Sequence, residues 1–301
     1  MGHDHSHEVT NYNKAFAIGI TLNVVFVVIE GVYGVMAGSL ALIADAGHNL
    51  SDVISLILAW GAFHLAKKNP SLKRTFGLKK VTILASLVSA VLLLIALGAI
   101  AWEALGRFSE PQPINGMIVI VVAGIGVVIN TATALLFMKG QKDDLNIRGA
   151  YLHMAADAVV SLGVVVVGIA IMYTGWLWLD PVISLLIVFV ILIATWGLLR
   201  DSVNLSIDAA PKDVDVSQIK EYLLSLDDIT DLHDLHVWAL STTENALTVH
   251  LLSTATQIDN SLIDAIQEHL HHAFGIDHCT IQIESTLGDY VCTLNKEECK
   301  I

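Results

Sequence analysis

Six long apolar runs constrain this chain more than any other feature. Near 14–36, 40–65, 79–106, 114–138, 147–174 and 177–199 the sequence is apolar over about 20 residues or more, enough to cross a hydrocarbon core roughly 30 Å thick. With 54% hydrophobic and only 15% charged residues, the chain is too apolar for an ordinary water-soluble protein. Six spans place both ends on one side. Lys67, Lys68, Lys73, Arg74, Lys79 and Lys80 crowd the second connection, and Lys139, Lys142 and Arg148 the fourth. The positive-inside rule makes those connections and both termini cytoplasmic. Arg107 is the one basic residue of this half that falls on the opposite side.

Charge separates a second region. Residues 1–206 hold 12 Lys/Arg against 12 Asp/Glu, and 207–301 hold 4 against 17, so the whole net charge of −13 belongs to the tail. That acidity argues against nucleic acid or an anionic surface as partner and suits cations. AAP after Asp208 ends the last apolar helix, and the pattern that follows predicts helix, strand, strand, helix, strand. The first helix begins at the Asp213/Asp215 caps and the second, 259–274, at Asp259, while LHVWALS and ALTVHLLS flank a turn at TTEN. Two helices on one face of three strands make a small α+β domain. The expected division is a His-containing tail at 1–13, a helical membrane domain at 14–206, the α+β domain at 207–287 and a Cys-containing tail at 288–301. Cys279, Cys292 and Cys299, all in the acidic region, are odd in number and give no disulfide framework. MGHDHSHEVTNY lacks the basic and apolar regions of a cleavable signal peptide.

Ionisable residues inside a bilayer cost several kcal/mol unless paired or ligated. The second span contains Asp45, His48 and Asp52 in ADAGHNLSD; the fifth contains His153 and Asp157 in HMAAD. Each His–Asp pair is four residues apart, on one helix face, about 6 Å along the axis. The two spans run in opposite directions. Counted at about 1.5 Å per residue, His48 and Asp52 lie roughly 12 and 18 Å down and His153 and Asp157 roughly 21 and 15 Å down, so the pairs meet near the midplane. One such pair alone can be an internal hydrogen bond. Two at matched depth offer two imidazoles and two carboxylates, a tetrahedral shell that suits Zn²⁺ at about 2.0–2.2 Å, whereas Mn²⁺ or Mg²⁺ prefers more oxygen. Asp45, on the same face as His48, is open to three roles: a fifth ligand, an acceptor behind the His48 ring, or a place on the access path. The last two are preferred. Glu30, deep in the first span, is open to proton or metal access or to helix packing, and Glu103 to snorkelling.

GSLALIADAGHNLSD, HMAAD in span five, six spans with both ends inside, and a tail with HDLHVW and TIQIE resemble the cation diffusion facilitator family, most closely its bacterial zinc, cadmium and cobalt exporters. The resemblance covers essentially the whole chain. It implies a homodimer in the bacterial inner membrane, proton-coupled antiport by alternating access, and a ferredoxin-like, metallochaperone-like cytoplasmic domain that binds metal. It also implies a transport site of His48, Asp52, His153 and Asp157. In the tail, His233, His250 and Glu284 match family positions for cytoplasmic ligands, with His278 as a fourth. Cys292 and Cys299, with His3, His5 or His7, resemble a further tail site found in some relatives. Two features depart from parts of the family: Leu78 in TFGLKK replaces a ligand of an additional loop site, and KGQKDDLNIRG is no His-rich loop.

The expected function is export of Zn²⁺, with Cd²⁺ and Co²⁺ as further substrates and protons as counter-substrate, by a protein that is not an enzyme. A membrane metalloenzyme lacks support because no HExxH accompanies the sites and four protein ligands leave no position for an activated water. A metal sensor would bind without flux.

Overall fold

The computed structural model describes residues 12–138, 145–255 and 260–285; the side chains of 12–20, 22, 52, 55, 56, 59, 137 and 145–150 are outside that description. His5, His7, Cys292 and Cys299 therefore lie outside the described residues, as does the Asp259 cap. Six long helices come first: α1 Tyr12–Ala37, α2 Leu40–Ala66, α3 Val81–Ser109, α4 Gly116–Phe137, α5 Leu145–Thr174 and α6 Leu179–Ser206. They occupy the six apolar runs. Four, α3 to α6, are long and apolar enough over their described residues to cross a membrane, and α1 adds a shorter apolar stretch, Asn23–Ala37. The acidic tail folds as α7 Val216–Leu224, β1 Ile229–Ala239, β2 Asn245–Ser253, α8 Asn260–Phe274 and β3 His278–Ser285, the order read from the sequence.

The chain divides into two compact units, one of residues 1–56 and 89–196, the other of 57–88 and 197–301. In the first, Phe26 of α1, Leu42 of α2, Val119 and Ala123 of α4, Val164 of α5 and Val188 of α6 form the buried centre. Small residues let the helices approach, as expected where lipid supplies no hydrophobic drive between them. A Cβ on Gly168 of α5 would come 3.0 Å from Ile120 Cγ1 and 3.1 Å from Val119 Cγ1 of α4. Large apolar side chains such as Val166, Phe189 and Ile193 face outward, the reverse of a water-soluble protein.

In the second unit, β1 pairs antiparallel with β2, and β3 pairs parallel with β2 after the α8 crossover. Leu247, Val249 and Leu251 alternate along β2 and pack with Ile219 and Leu223 of α7 and Ile266 and Leu270 of α8, so the helices cover that face. Asp215 caps α7 by accepting from the Ser217 and Gln218 amides. Two basic residues before α3 tie down the same unit: Lys79 pairs with Glu244 in the β1–β2 turn, and Lys80 with Asp208 at 2.5 Å.

Candidate metal centres

The polar stretch of α2 meets that of α5 across a helix pair. His48 Nε2 lies 3.7 Å from Asp157 Oδ1, and His153 Nε2 3.6 Å from Asp157 Oδ2. The two imidazoles approach edge to face, with ring centroids 5.8 Å apart. One ligand atom from each of His48, His153 and Asp157 lies within 4.8 Å of the others, close enough for a single ion to bridge them. Asp157 is buried, with 4% side-chain exposure, and His48 and His153 open progressively at 21% and 42%. The pocket is thus closed on its carboxylate side and open on its imidazole side. Asp52 follows His48 by one turn of α2, but its side chain is outside the described residues. Asp45, on the preceding turn, is buried, and its Oδ2 accepts a hydrogen bond from Ser161 Oγ of α5 at 3.0 Å. Ser161 is four residues beyond Asp157, so α2 and α5 share a second polar contact one turn from the first.

The second cluster is built by strand register. His233 of β1 stands directly opposite His250 of β2, the position where cross-strand side chains come within about 5 Å. Glu284 of β3 bridges the pair: its Oε1 lies 2.7 Å from His250 Nδ1 and its Oε2 3.3 Å from His233 Nε2. All three are buried, and their ligand atoms lie within 4.8 Å of one another. His250 and Glu284 project from the sheet face that α7 and α8 leave uncovered, since they alternate with Val249, Leu251 and Ile283. The donor set of two imidazoles and a carboxylate fits a divalent cation, and among the described residues the buried His233 Nδ1 has no hydrogen-bond partner. Cys279, near the start of β3, packs against the helix-covered core on the opposite face of the sheet, and burial pushes its thiol up to about 11, which keeps it protonated at neutral pH.

Residues 16–205 match the cation efflux transmembrane domain, and residues 211–286 the cytoplasmic domain of cation efflux proteins. The chain belongs to the cation efflux family. It is 37% identical over 286 residues to the metal cation efflux system protein CzcD of Cupriavidus metallidurans, covering 94% of this chain and 90% of that one. It is 35% identical over 291 residues to the cadmium, cobalt and zinc/H⁺-K⁺ antiporter of Bacillus subtilis, covering 95% and 92%. To the zinc transporter ZitB of Escherichia coli it is 34% identical over 293 residues, covering 94% and 93%. This cation efflux protein is accordingly a multi-pass membrane protein of the bacterial zinc/cadmium/cobalt exporter type, with a helical transmembrane domain and an α+β C-terminal domain.

Within the protomer, His278 is not brought to the other three residues of the sheet cluster. It begins β3 and pairs with Ala246, six residues before Glu284, which is about 20 Å along a strand. Its exposed ring packs edge-on against Phe76 at 5.2 Å, away from the His233–His250–Glu284 cluster.

Three contributors were missed in the sequence. Asp234 lies at an irregularity in β1 between His233 and His236, with φ of 54°. This left-handed position, which Asp tolerates better than most residues, brings its carboxylate 3.7 Å from His250 Nε2 and 3.0 Å from His236 Nε2. The HDLH run was the available signal. Ser161 could have been found as the residue four on from Asp157. Asp180, at the start of α6, is buried and accepts from Ser39 Oγ at 2.5 Å and from the Leu40 and Ala41 amides at 2.8 and 3.3 Å, holding the first turn of α2. Arg107 lies 3.7 Å from it and also donates to the Gly38 carbonyl, which accounts for a basic residue on the side where the others are missing.

Proposed function

We propose that this protein exports Zn²⁺ from the cytoplasm, with Cd²⁺ and Co²⁺ as further substrates, in exchange for protons. The observation that carries the reading is the convergence of His48, His153 and Asp157 from two helices within 4.8 Å inside the apolar domain. With Asp52 as the fourth ligand the shell has two nitrogens and two oxygens, a set that suits Zn²⁺ better than Mn²⁺ or Mg²⁺. The relatives' names point the same way: one is a zinc transporter, another an antiporter of cadmium, cobalt and zinc against H⁺ and K⁺.

Only neutral imidazole ligates a metal, so cation and proton compete for His48 and His153. That competition couples the two fluxes without a separate proton channel. Protons arriving from the far side displace the cation, and α2 and α5, each carrying half of the ligands, move relative to one another to change the side of access. A complete protein shell leaves no place for an activated water, in keeping with a transporter and not a hydrolase.

The cytoplasmic domain binds the same cations through His233, His250 and Glu284 and pairs with that of a second subunit, as the dimer-type domain match supports. The protein resides in the bacterial inner membrane with both termini in the cytoplasm. The test is zinc-driven proton movement in vesicles carrying the purified protein. Zinc and proton fluxes should appear together, and Asp157→Ala should abolish both; zinc flux unchanged by that substitution would overturn the transport site.

A further inference from the structure

We propose that Glu30, Asp45 and Asn49 form a second, oxygen-only site for a divalent cation beside the His48–Asp157 pocket, between α1 and α2. The proposal rests on the transport reading above and makes the new site a further stop for the same cargo.

The local sequence builds this place. Asp45 and Asn49 are four apart on one face of α2. Two glycines of α1 let that face come close: a Cβ on Gly34 would meet Ile43 Cγ1 at 3.1 Å and the Ile43 amide nitrogen at 3.2 Å, and one on Gly31 would meet Ala46 Cβ at 3.8 Å. Glu30, adjacent to Gly31, is thereby set against Asp45 and Asn49.

All three side chains are more than nine-tenths buried, at 0%, 1% and 6% exposure for Glu30, Asp45 and Asn49. Among the described residues, neither carboxylate oxygen of Glu30 has a hydrogen-bond partner at ordinary distance and angle, nor does Asp45 Oδ1, while Asp45 Oδ2 is taken by Ser161; Asp45 and Asn49 are the groups within reach of the Glu30 carboxylate. Asn49 Nδ2 is also unpartnered, and rotation of the amide would offer its oxygen instead. The charged groups acting on Glu30 are Asp45 and Asp157, both acidic, and those acting on Asp45 are Asp157, Glu30 and His48. Arg107 is committed to Asp180, Glu103 and the Gly38 carbonyl. Two buried carboxylates with open lone pairs, and no Lys or Arg among the described residues acting on them, are what a divalent cation would complete.

The ligand chemistry differs from that of the pocket. Carboxylate and amide oxygens without imidazole form a harder set, which holds Zn²⁺ less firmly and accepts Mn²⁺ or Mg²⁺ more readily. A cation moving from the His48–His153 pocket to this site exchanges nitrogen ligands for oxygen ones, and its hold on the protein loosens.

Mn²⁺ is the probe, counted by electron paramagnetic resonance on the full-length protein in detergent. In a His48→Ala/His153→Ala background, the further pair Glu30→Gln/Asp45→Asn should remove one bound Mn²⁺ per protomer, tail binding being common to both samples. In the otherwise intact chain, the isosteric Glu30→Gln should lower zinc flux at least about tenfold with zinc affinity at the pocket unchanged within about twofold, and Glu30→Asp should restore part of the flux. An equal Mn²⁺ count in the two backgrounds overturns the site. So does lost flux with an unchanged count, because Glu30 would then act without holding a cation. Zinc transport persisting in His48→Ala/His153→Ala would instead refute the pocket, whatever the Mn²⁺ count.

Discussion

The helical pocket and the sheet cluster use nearly the same chemistry, two imidazoles against a carboxylate, on different scaffolds. In the helices, His48 comes from α2 and His153 and Asp157 from α5, and the closest contacts among them are 3.6 and 3.7 Å. In the sheet, His233, His250 and Glu284 come from three hydrogen-bonded strands in fixed register and are already joined at 2.7 and 3.3 Å. The helical carboxylate is buried behind imidazoles that open outward, whereas every member of the sheet cluster is buried. A site divided between two helices suits a cation that must leave. A tight site on one sheet suits a cation that stays.

The strongest way to break this contrast is to change the pocket's ligand set. On the proposed four-ligand shell with Asp52, His48→Asp would convert two nitrogens and two oxygens into one and three, and the ratio of Zn²⁺ to Mn²⁺ flux should fall by about 10- to 100-fold. An unchanged ratio would mean that the imidazole does not set preference. Next comes Cys279, whose thiol burial holds near 11 against an ordinary value of 9.0. Because the shift is upward, its thiolate fraction at pH 8 is about 100-fold below that of an open cysteine, and alkylation should slow accordingly. Mass-spectrometric labelling of the native protein against a Cys-containing peptide measures this; equal rates would show that the thiol is not shielded.

Glu284→Gln retains shape but loses the charge between two buried imidazoles. The tail's zinc affinity should drop by about 10-fold, read by calorimetry on the full chain, while zinc flux at saturating substrate stays within a few-fold of the parent. Collapse of flux would make the sheet cluster part of the transport path. The smallest effect belongs to Asp234→Ala, which places a less tolerant residue at φ of 54° and removes the carboxylate beside His250. Thermal unfolding followed by circular dichroism should register a loss of about 1 kcal/mol.

Particular residues show what could be read beforehand. The helices were legible because their apolar runs are long, and the His–Asp pairs stood out because ionisable groups inside such runs are costly unless paired or ligated. The Asp215 cap and the strand order followed from local pattern. Asp180 was not legible: its partners Ser39, Leu40 and Ala41 are about 140 residues away, and only packing brings α6 to the start of α2. Asp234 depended on a strand irregularity that no periodicity announces. His278 stands apart for a related reason, since a strand spreads six residues over about 20 Å and membership in β3 does not bring a residue to Glu284.

If cations cross through the His48–His153–Asp157 pocket, flux of single metals into vesicles by the parent and by His153→Ala shows it most directly. Saturable Zn²⁺ flux, with Cd²⁺ and Co²⁺ following and Mn²⁺ far behind, should disappear in the variant while zinc binding by the cytoplasmic domain persists. Full Zn²⁺ flux in His153→Ala would contradict it.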